Sequence, residues 1–288
     1  MRLPPLPSSF SALIKAGLCS CVAFAAQAAE PPEPAREPSL PLWEVGLLGA
    51  AAATPAYPGA DDRSSRALVL PLVIYRGKIV RADRSGVNAR LINSDRVELD
   101  LGFALSLPAR SDDVAARRGM PDLNSLLEFG PRLKVLLARP SATSQVRLEL
   151  PVRVPVELGN GFRRHGLVAE PRVLVETGDG NGTWYADASV GAVFGNADLN
   201  AYFYDVAPQY ATAARPAYQA SGGLMMTRLG VSLSRRVSPD WRVFGFTRYD
   251  NLSHAANRDS PLFRKRSGFS VGGGFTWTIH RSAARAWE

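Results

Sequence analysis

The sequence predicts an all-β protein, a transmembrane antiparallel up-and-down β-barrel of about 12 strands, with roughly 10–12 as the range. Three observations predict it. The chain opens with a segment built like an export leader, and no later apolar run approaches the length of a membrane-crossing helix. From residue 42 onward, stretches of about ten residues alternate apolar with small or charged side chains, which is the pattern of strands that face lipid on one side and a lumen on the other.

The leader is read first. Arg2 and Lys15 precede an apolar run from Ala16 to Ala26, too short to cross a bilayer, and Ala26-Gln27-Ala28 is a small-x-small site of the kind signal peptidase cuts. Residues 1–28 are therefore expected to be a signal peptide cleaved after Ala28. A lipoprotein signal is the alternative, with Leu18-Cys19-Ser20-Cys21 as its lipidation box and Cys21 as the lipidated residue. Both cysteines lie in the leader, so the remainder has no disulfide and no thiolate metal site.

Removing the leader takes away two basic residues and no acidic one. The 34 basic residues of the chain become 32 against 26 acids, a formal charge of +6. These charges are interspersed along the chain and not gathered into a patch, which argues against nucleic-acid binding. Residues 29–41 include EPPEPAREPSLP, a Pro-rich stretch with too little apolar content to pack, read as a periplasmic lead-in. The barrel is assigned to residues 42–288.

The alternation is clearest in 95–108, where Val97, Leu99, Leu101, Phe103, Leu105 and Leu107 oppose Glu98, Asp100, Gly102, Ala104 and Ser106. It recurs in 127–137, with Glu128, Arg132 and Lys134 on the polar face, and in 146–157, with Arg147, Glu149 and Arg153. Residues 167–176 contribute Glu170, Arg172 and Glu176, and 269–279 set aromatic and aliphatic residues against Ser, Gly and Thr. A water-facing sheet surface tolerates Lys, Thr and Ser; a face of Arg and Glu separated by small residues suits a closed lumen filled by paired charges. The expected lumen network is Glu98, Asp100, Glu128, Arg132, Lys134, Arg147, Glu149, Arg153, Glu170, Arg172, Asp187 and Arg248. Pro151 and Pro155 cannot donate to a ladder and mark bulges or weak pairing.

Strands are expected to begin near Trp43, Arg66, Lys78, Val87, Val97, Leu126, Gln145, Leu167, Trp184, Ala217, Trp241 and Ser267. This count makes residues 78–92 a hairpin of two short strands and sends every long connection to the cell exterior. If 78–92 is one strand, evenness requires another near Tyr202 to Val206 and turns the loops 108–125 and 158–166 to the periplasm.

No motif points to catalysis. Gly268-Phe269-Ser270-Val271-Gly272 has the spacing of a hydrolase elbow, but an elbow needs a strand-to-helix turn and this stretch continues as a strand through Ile279. His165, His254 and His280 fall in a turn, a loop and the tail, without a second ligand at helical or strand spacing. Gly178 to Gly182 reads as a tight turn. No catalytic residue, cofactor or metal is expected. Trp43, Trp184, Trp241 and Trp277 sit at strand ends, as anchors at membrane interfaces do.

Several stretches carry a resemblance: Pro55-Ala56-Tyr57-Pro58-Gly59 with Asp61, Leu70-Pro71 with Tyr75, and Arg117-Arg118-Gly119-Met120-Pro121-Asp122-Leu123 leading to Glu128-Phe129-Gly130-Pro131. Further on come Leu150-Pro151-Val152-Arg153, Tyr202-Phe203-Tyr204-Asp205-Val206, Tyr210-Ala211-Thr212, Arg215-Pro216-Ala217-Tyr218 with Gly222-Gly223, Arg248-Tyr249, and Asp259-Ser260-Pro261-Leu262. With these, the chain resembles the MipA/OmpV family of outer-membrane proteins. The resemblance implies an outer-membrane barrel and, in its best-described members, a non-enzymatic scaffold that joins a lytic murein transglycosylase to a bifunctional penicillin-binding murein synthase. Other members are described as porin-like, or as adhesins or immunogenic surface proteins. One departure is the chain's end: such barrels close on an aromatic residue read by the assembly machinery, whereas this chain continues past Ile279 as His-Arg-Ser-Ala-Ala-Arg-Ala-Trp-Glu, leaving Trp277 or Trp287 for that role. Scaffold contacts are expected on the lead-in 30–41 and on the tail after Ile279.

Overall fold

A computed structural model describes residues 40–76, 80–83, 86–89, 92–159 and 161–286. The leader, its cleavage site and most of the lead-in lie outside these residues. The described chain forms one antiparallel sheet. Its strands are β1 (Trp43–Pro55), β2 (Arg63–Arg76), β3 (Val80–Asp83), β4 (Gly86–Ala89), β5 (Ile92–Asn93), β6 (Val97–Leu105), β7 (Leu126–Ser141), β8 (Ser144–Glu157), β9 (Val168–Ala169), β10 (Arg172–Gly178), β11 (Trp184–Gly195), β12 (Gly223–Arg236), β13 (Trp241–Asn251) and β14 (Ser267–Arg281).

Neighbouring strands in space are neighbours in sequence, and the first long strand, β1, pairs with the last, β14. The ladder path begins at β4 and ends at β5, two segments separated by only two residues of chain. β4 pairs with β3, β5 pairs with β6, and β4 also lies against β6, so the sheet comes round on itself. Counting β4 and β5 together and leaving the short β9 aside gives 12 positions around the barrel. Residues 80–89 are a hairpin. All long connections therefore share one mouth with the link between β3 and β4, and the remaining short turns and both chain ends share the other.

The outward face explains the alternation. Val69, Val73, Phe103, Phe129, Val152, Val190, Leu229, Val231, Leu233, Phe269, Val271 and Ile279 are all exposed on the barrel wall. An apolar surface of this size facing outward, with charges enclosed, is the reverse of a water-soluble sandwich and suits a hydrocarbon solvent. The Trp residues expected at both interfaces all lie at the short-turn end: Trp241 stacks on Trp277 at 5.4 Å, and Trp43 packs on His280 at 5.3 Å.

Three expectations need correction, and the strand near Tyr202 that the alternative reading required is absent from the described residues. Residues 202–204 are not in a strand: Ala197–Tyr204 is the helix α1, started by the Asn196 carboxamide oxygen, which accepts from the Leu199 N–H at 3.1 Å. The strand expected from Ala217 starts at Gly223, because residues before it are drawn into the loops; Ala220 N donates to Asp205 at 2.6 Å. The strand expected from Leu167 is split by Pro171 into β9 and β10. His280 belongs to β14, which runs two residues past Ile279. Pro151 and Pro155 stay in register with β7, and on the other edge of β8 only the two residues of β9 form a ladder opposite them.

Candidate functional site

Two features dominate the interior: a charged lumen and a packed cap of loops. The lumen follows from strand register. β6 sets Asp100 opposite Arg132 and Glu98 opposite Lys134 on β7, and β7 sets Lys134 opposite Glu149 on β8. Arg132 grips Asp100 with Nε at 2.9 Å and Nη2 at 2.8 Å, and Lys134 Nζ reaches the same carboxylate at 2.7 Å and Glu98 at 3.3 Å. Arg172 Nη2 donates to Glu149 at 2.6 Å, and Arg147 lies 3.2 Å from Glu176.

Nearer the long-loop mouth, Arg153 bridges Glu128 at 2.9 Å and Glu170 at 2.8 Å. Glu170 also meets Arg228 at 3.0 Å, and Arg228 meets Asp250 at 2.7 Å. Asp187 accepts from the Ser232 hydroxyl. Arg248 is different: its guanidinium stands over the Phe246 ring at 5.9 Å, with no carboxylate within ion-pair distance among the described residues. Arg228 and Asp250 were not among the residues expected to form the network. Their parity with Gly230 and Arg248 on β12 and β13 carried the signal.

The cap is where the buried apolar side chains gather. Tyr57, Ala109, Val114, Leu123, Leu199, Tyr204, Val206, Met225, Leu252 and Leu262 form one cluster drawn from four of the five long connections, all but the one after β8, and from the strand ends beneath them. Long-range hydrogen bonds tie the loops together. Tyr57 Oη donates to the Leu262 carbonyl at 2.5 Å, Tyr204 Oη to Pro58 at 3.0 Å, and Ala115 N to Asp62 at 2.8 Å. Arg117, only 4 % exposed, donates to the Phe203 and Pro121 carbonyls at 3.1 Å each. Burial lowers its pKa and raises that of Tyr57. Arg215 binds the Ala116, Arg118 and Tyr210 carbonyls. The 55–61, 117–123, 202–206, 215–218 and 259–262 stretches named above all meet in this cap.

Ser270, of the elbow-like spacing, is buried within β14 with strand on both sides. His165 pairs with Glu157 at 2.8 Å and packs on Tyr202. Among the described residues no group of three or more His, Cys, Asp or Glu could hold a metal, and no helix is long and apolar enough to cross a membrane.

The profile of a protein family described as "MltA-interacting protein MipA" matches residues 46–279, the whole barrel apart from its outermost ends. The chain belongs to the MipA family. With its outward apolar wall, the family member is an outer-membrane β-barrel protein. No curated protein sequence matches the chain. Among solved structures it is similar to the NanC porin, at 11 % identity over 82 % of this chain and 100 % of that one, with a TM-score of 0.36. It is also similar to outer-membrane phospholipase A from Escherichia coli, at 10 % identity over 81 % and 92 % of the two chains and a TM-score of 0.35. A third is the Pseudomonas putida toluene transporter TodX, at 8 % identity over 84 % and 90 % with a TM-score of 0.35.

Proposed function

We propose that the chain is exported, cleaved after Ala28 and inserted in the outer membrane as a non-enzymatic scaffold. By the family's name its first partner is a lytic murein transglycosylase of the MltA type, and by resemblance its second is a bifunctional penicillin-binding murein synthase. The observation that carries this reading is the closure of the bore. The cap packs four connections over one mouth, and the ion pairs of β6, β7, β8, β10 and β12 occupy the space below it. A protein built to pass solutes gains nothing from both.

The partner surface is assigned to the opposite end, where the two chain ends meet. Leu42 N donates to Ala284 O at 2.8 Å, Ala286 N to Leu40 O at 2.8 Å, and Pro41 pairs with Arg285. Bacterial barrels turn their short connections to the periplasm, so this junction faces the murein side. Affinity capture from envelope extracts should retain both murein enzymes with the intact protein. Deleting 30–39 or 283–288 should release them while the barrel still assembles; undiminished capture by both deletions would refute this assignment, and absence of either enzyme from the intact capture would refute the scaffold. Mass spectrometry should find the mature chain starting at Ala29.

A further inference from the structure

Toward the long-loop mouth the outward wall ends in aromatic residues on β6, β7, β13 and β14: Phe103, Phe129, Tyr249 and Phe269 are all exposed. Register fixes their height on β13 and β14. Trp241 faces Trp277 near the short-turn end, and Tyr249 faces Phe269 eight residues away on both strands (241 to 249, 277 to 269). At about 3.3 Å per residue and a strand tilt of about 40°, the apolar wall between them is about 20 Å tall. Residues just beyond Phe269 therefore stand at the level of lipid head groups.

Cations gather at that level. Arg63, opposite Pro55 at the end of β1, shares the outward parity of Val69 and Val73, and its guanidinium donates only to the Ala53 carbonyl at 3.2 Å among the described residues. On the other side of Pro55, whose ring lies against Gly268, the chain enters β14 through Arg264, Lys265 and Arg266, all exposed. Their backbone is pinned. The Gly59 carbonyl accepts from the Arg264 and Lys265 N–H groups at 2.8 and 2.9 Å, and the Arg266 carbonyl accepts from Leu252 N at 2.8 Å. The side chains of Lys265 and Arg266 make no hydrogen bond or ion pair among the described residues.

The neighbouring acids leave this excess standing. Asp61 lies 3.8 Å from Arg264, which takes that arginine out of the count, and Asp62 accepts from Ala115 N at 2.8 Å. Asp259 acts on Tyr218 in the cap. Arg63, Lys265 and Arg266 remain, in two groups on either side of the end of β1. Two strand spacings, about 10 Å, separate the backbones of β2 and β14 there, a span that suits two phosphates better than one. Beneath it Ala51, Thr247, Tyr249, Phe269 and Val271 are exposed across three strands, room for more than one acyl chain.

We propose that this rim binds a lipid carrying at least two phosphate groups, in the leaflet at the long-loop mouth, which the placement of short turns in bacterial barrels makes the outer one. Arg63 takes one phosphate, Lys265 and Arg266 take the other, and the acyl chains lie on the wall below. The phosphate oxygens complete charge-assisted hydrogen bonds that the folded chain leaves open. Because the backbone is already held, little further ordering is needed on binding.

The test uses the mature chain, extracted folded and placed in phosphatidylcholine nanodiscs, with bisphosphorylated lipid A as the probe and phosphatidylglycerol at equal charge as the comparison. Neither depends on which way the barrel faces in the cell. Lipid A should protect Lys265 from an amine-acylating ester, read on its peptide by mass spectrometry, and phosphatidylglycerol should not. Arg63→Gln, Lys265→Gln and Arg266→Gln together should weaken retention of lipid A about a hundredfold. The same charge removed elsewhere on the mouth, by Arg118→Gln with Arg163→Gln and Arg164→Gln, should leave retention unchanged. All six side chains are exposed, so both proteins should keep the heat-modifiable band. Equal loss in the two triple variants, equal protection of Lys265 by phosphatidylglycerol, or an unprotected Lys265 while lipid A is retained would overturn the proposal.

Discussion

Asp100 has no exposed surface and is held by Arg132 and Lys134 together. Removing one partner of such a group leaves a charge that the enclosed site cannot solvate, a loss of about 3 kcal/mol or more. Arg132→Ala should therefore lower the temperature at which the folded band converts to the unfolded one on SDS gels. Arg132→Lys should recover only part of it, because a single ammonium cannot reproduce the two-point grip. The acids and bases of this network were legible from alternation alone, since parity decides which face a side chain takes. Which acid meets which base was less so. Asp250 reaches Arg228 by direct opposition of β12 and β13, but Arg228 reaches Glu170 over the intervening strand β11, where Gly191 leaves the room, a contact that no period in the sequence encodes.

At the scale of elements, sheet positions were legible wherever strands are long and were lost where loops fold on one another. Helix α1 is eight residues long and packs through Leu199 and Tyr204 into the cap. At about two turns the segment is too short to establish an amphipathic period, and its only local signal is the Asn196 cap followed by Asp198. Residues 217–222 stay out of β12 for a related reason: Tyr218 and Ala220 are held by distant loops, through Asn257 and Asp205. Glycine supplies a sharper element-scale prediction. A side chain at Gly130 would lie 2.1 Å from the Val152 carbonyl oxygen of the facing strand. Gly130→Val should push β7 off β8 and block assembly, seen as loss of the heat-modifiable band, whereas Gly119→Val, which has no atom within reach but a left-handed backbone, should only loosen its loop.

For the whole molecule, the hairpin 80–89 decides orientation, because it makes the number of crossings before residue 106 odd: β1, β2, β3, β4 with β5, and the strand β6 that leads into the cap. With short turns toward the periplasm, Asp113 should lie outside the cell. A protease site engineered at Asp113 should be cut in intact cells; cutting only after the outer membrane is permeabilised would reverse the topology. The same architecture predicts behaviour in planar bilayers: the unmodified protein should give no large, stable conductance, and deleting 110–120 from the cap should raise it without unfolding the strands. Fold class needed only the alternation and the leader. The cap, which contains the most tightly packed apolar residues of the protein, left no periodic trace, and its motifs are recognisable only as a family pattern.

The junction of the chain ends has a consequence for how the barrel is made. The β1–β14 seam joins residues more than 200 positions apart, so in the natural order of synthesis it can form only after the last strand has emerged. Closing so long a loop is the main entropic obstacle to completing the ring. Because residues 40–42 and 284–286 already lie side by side, a peptide link between them would add little strain. A circular permutant joined there and opened in the short turn at 142–143 would contain every ladder of the native protein, with the seam now a local hairpin and the β7–β8 pair the distant one. Such a chain should assemble to the same heat-modifiable barrel, and the rate at which it does so would report which seam limits closure.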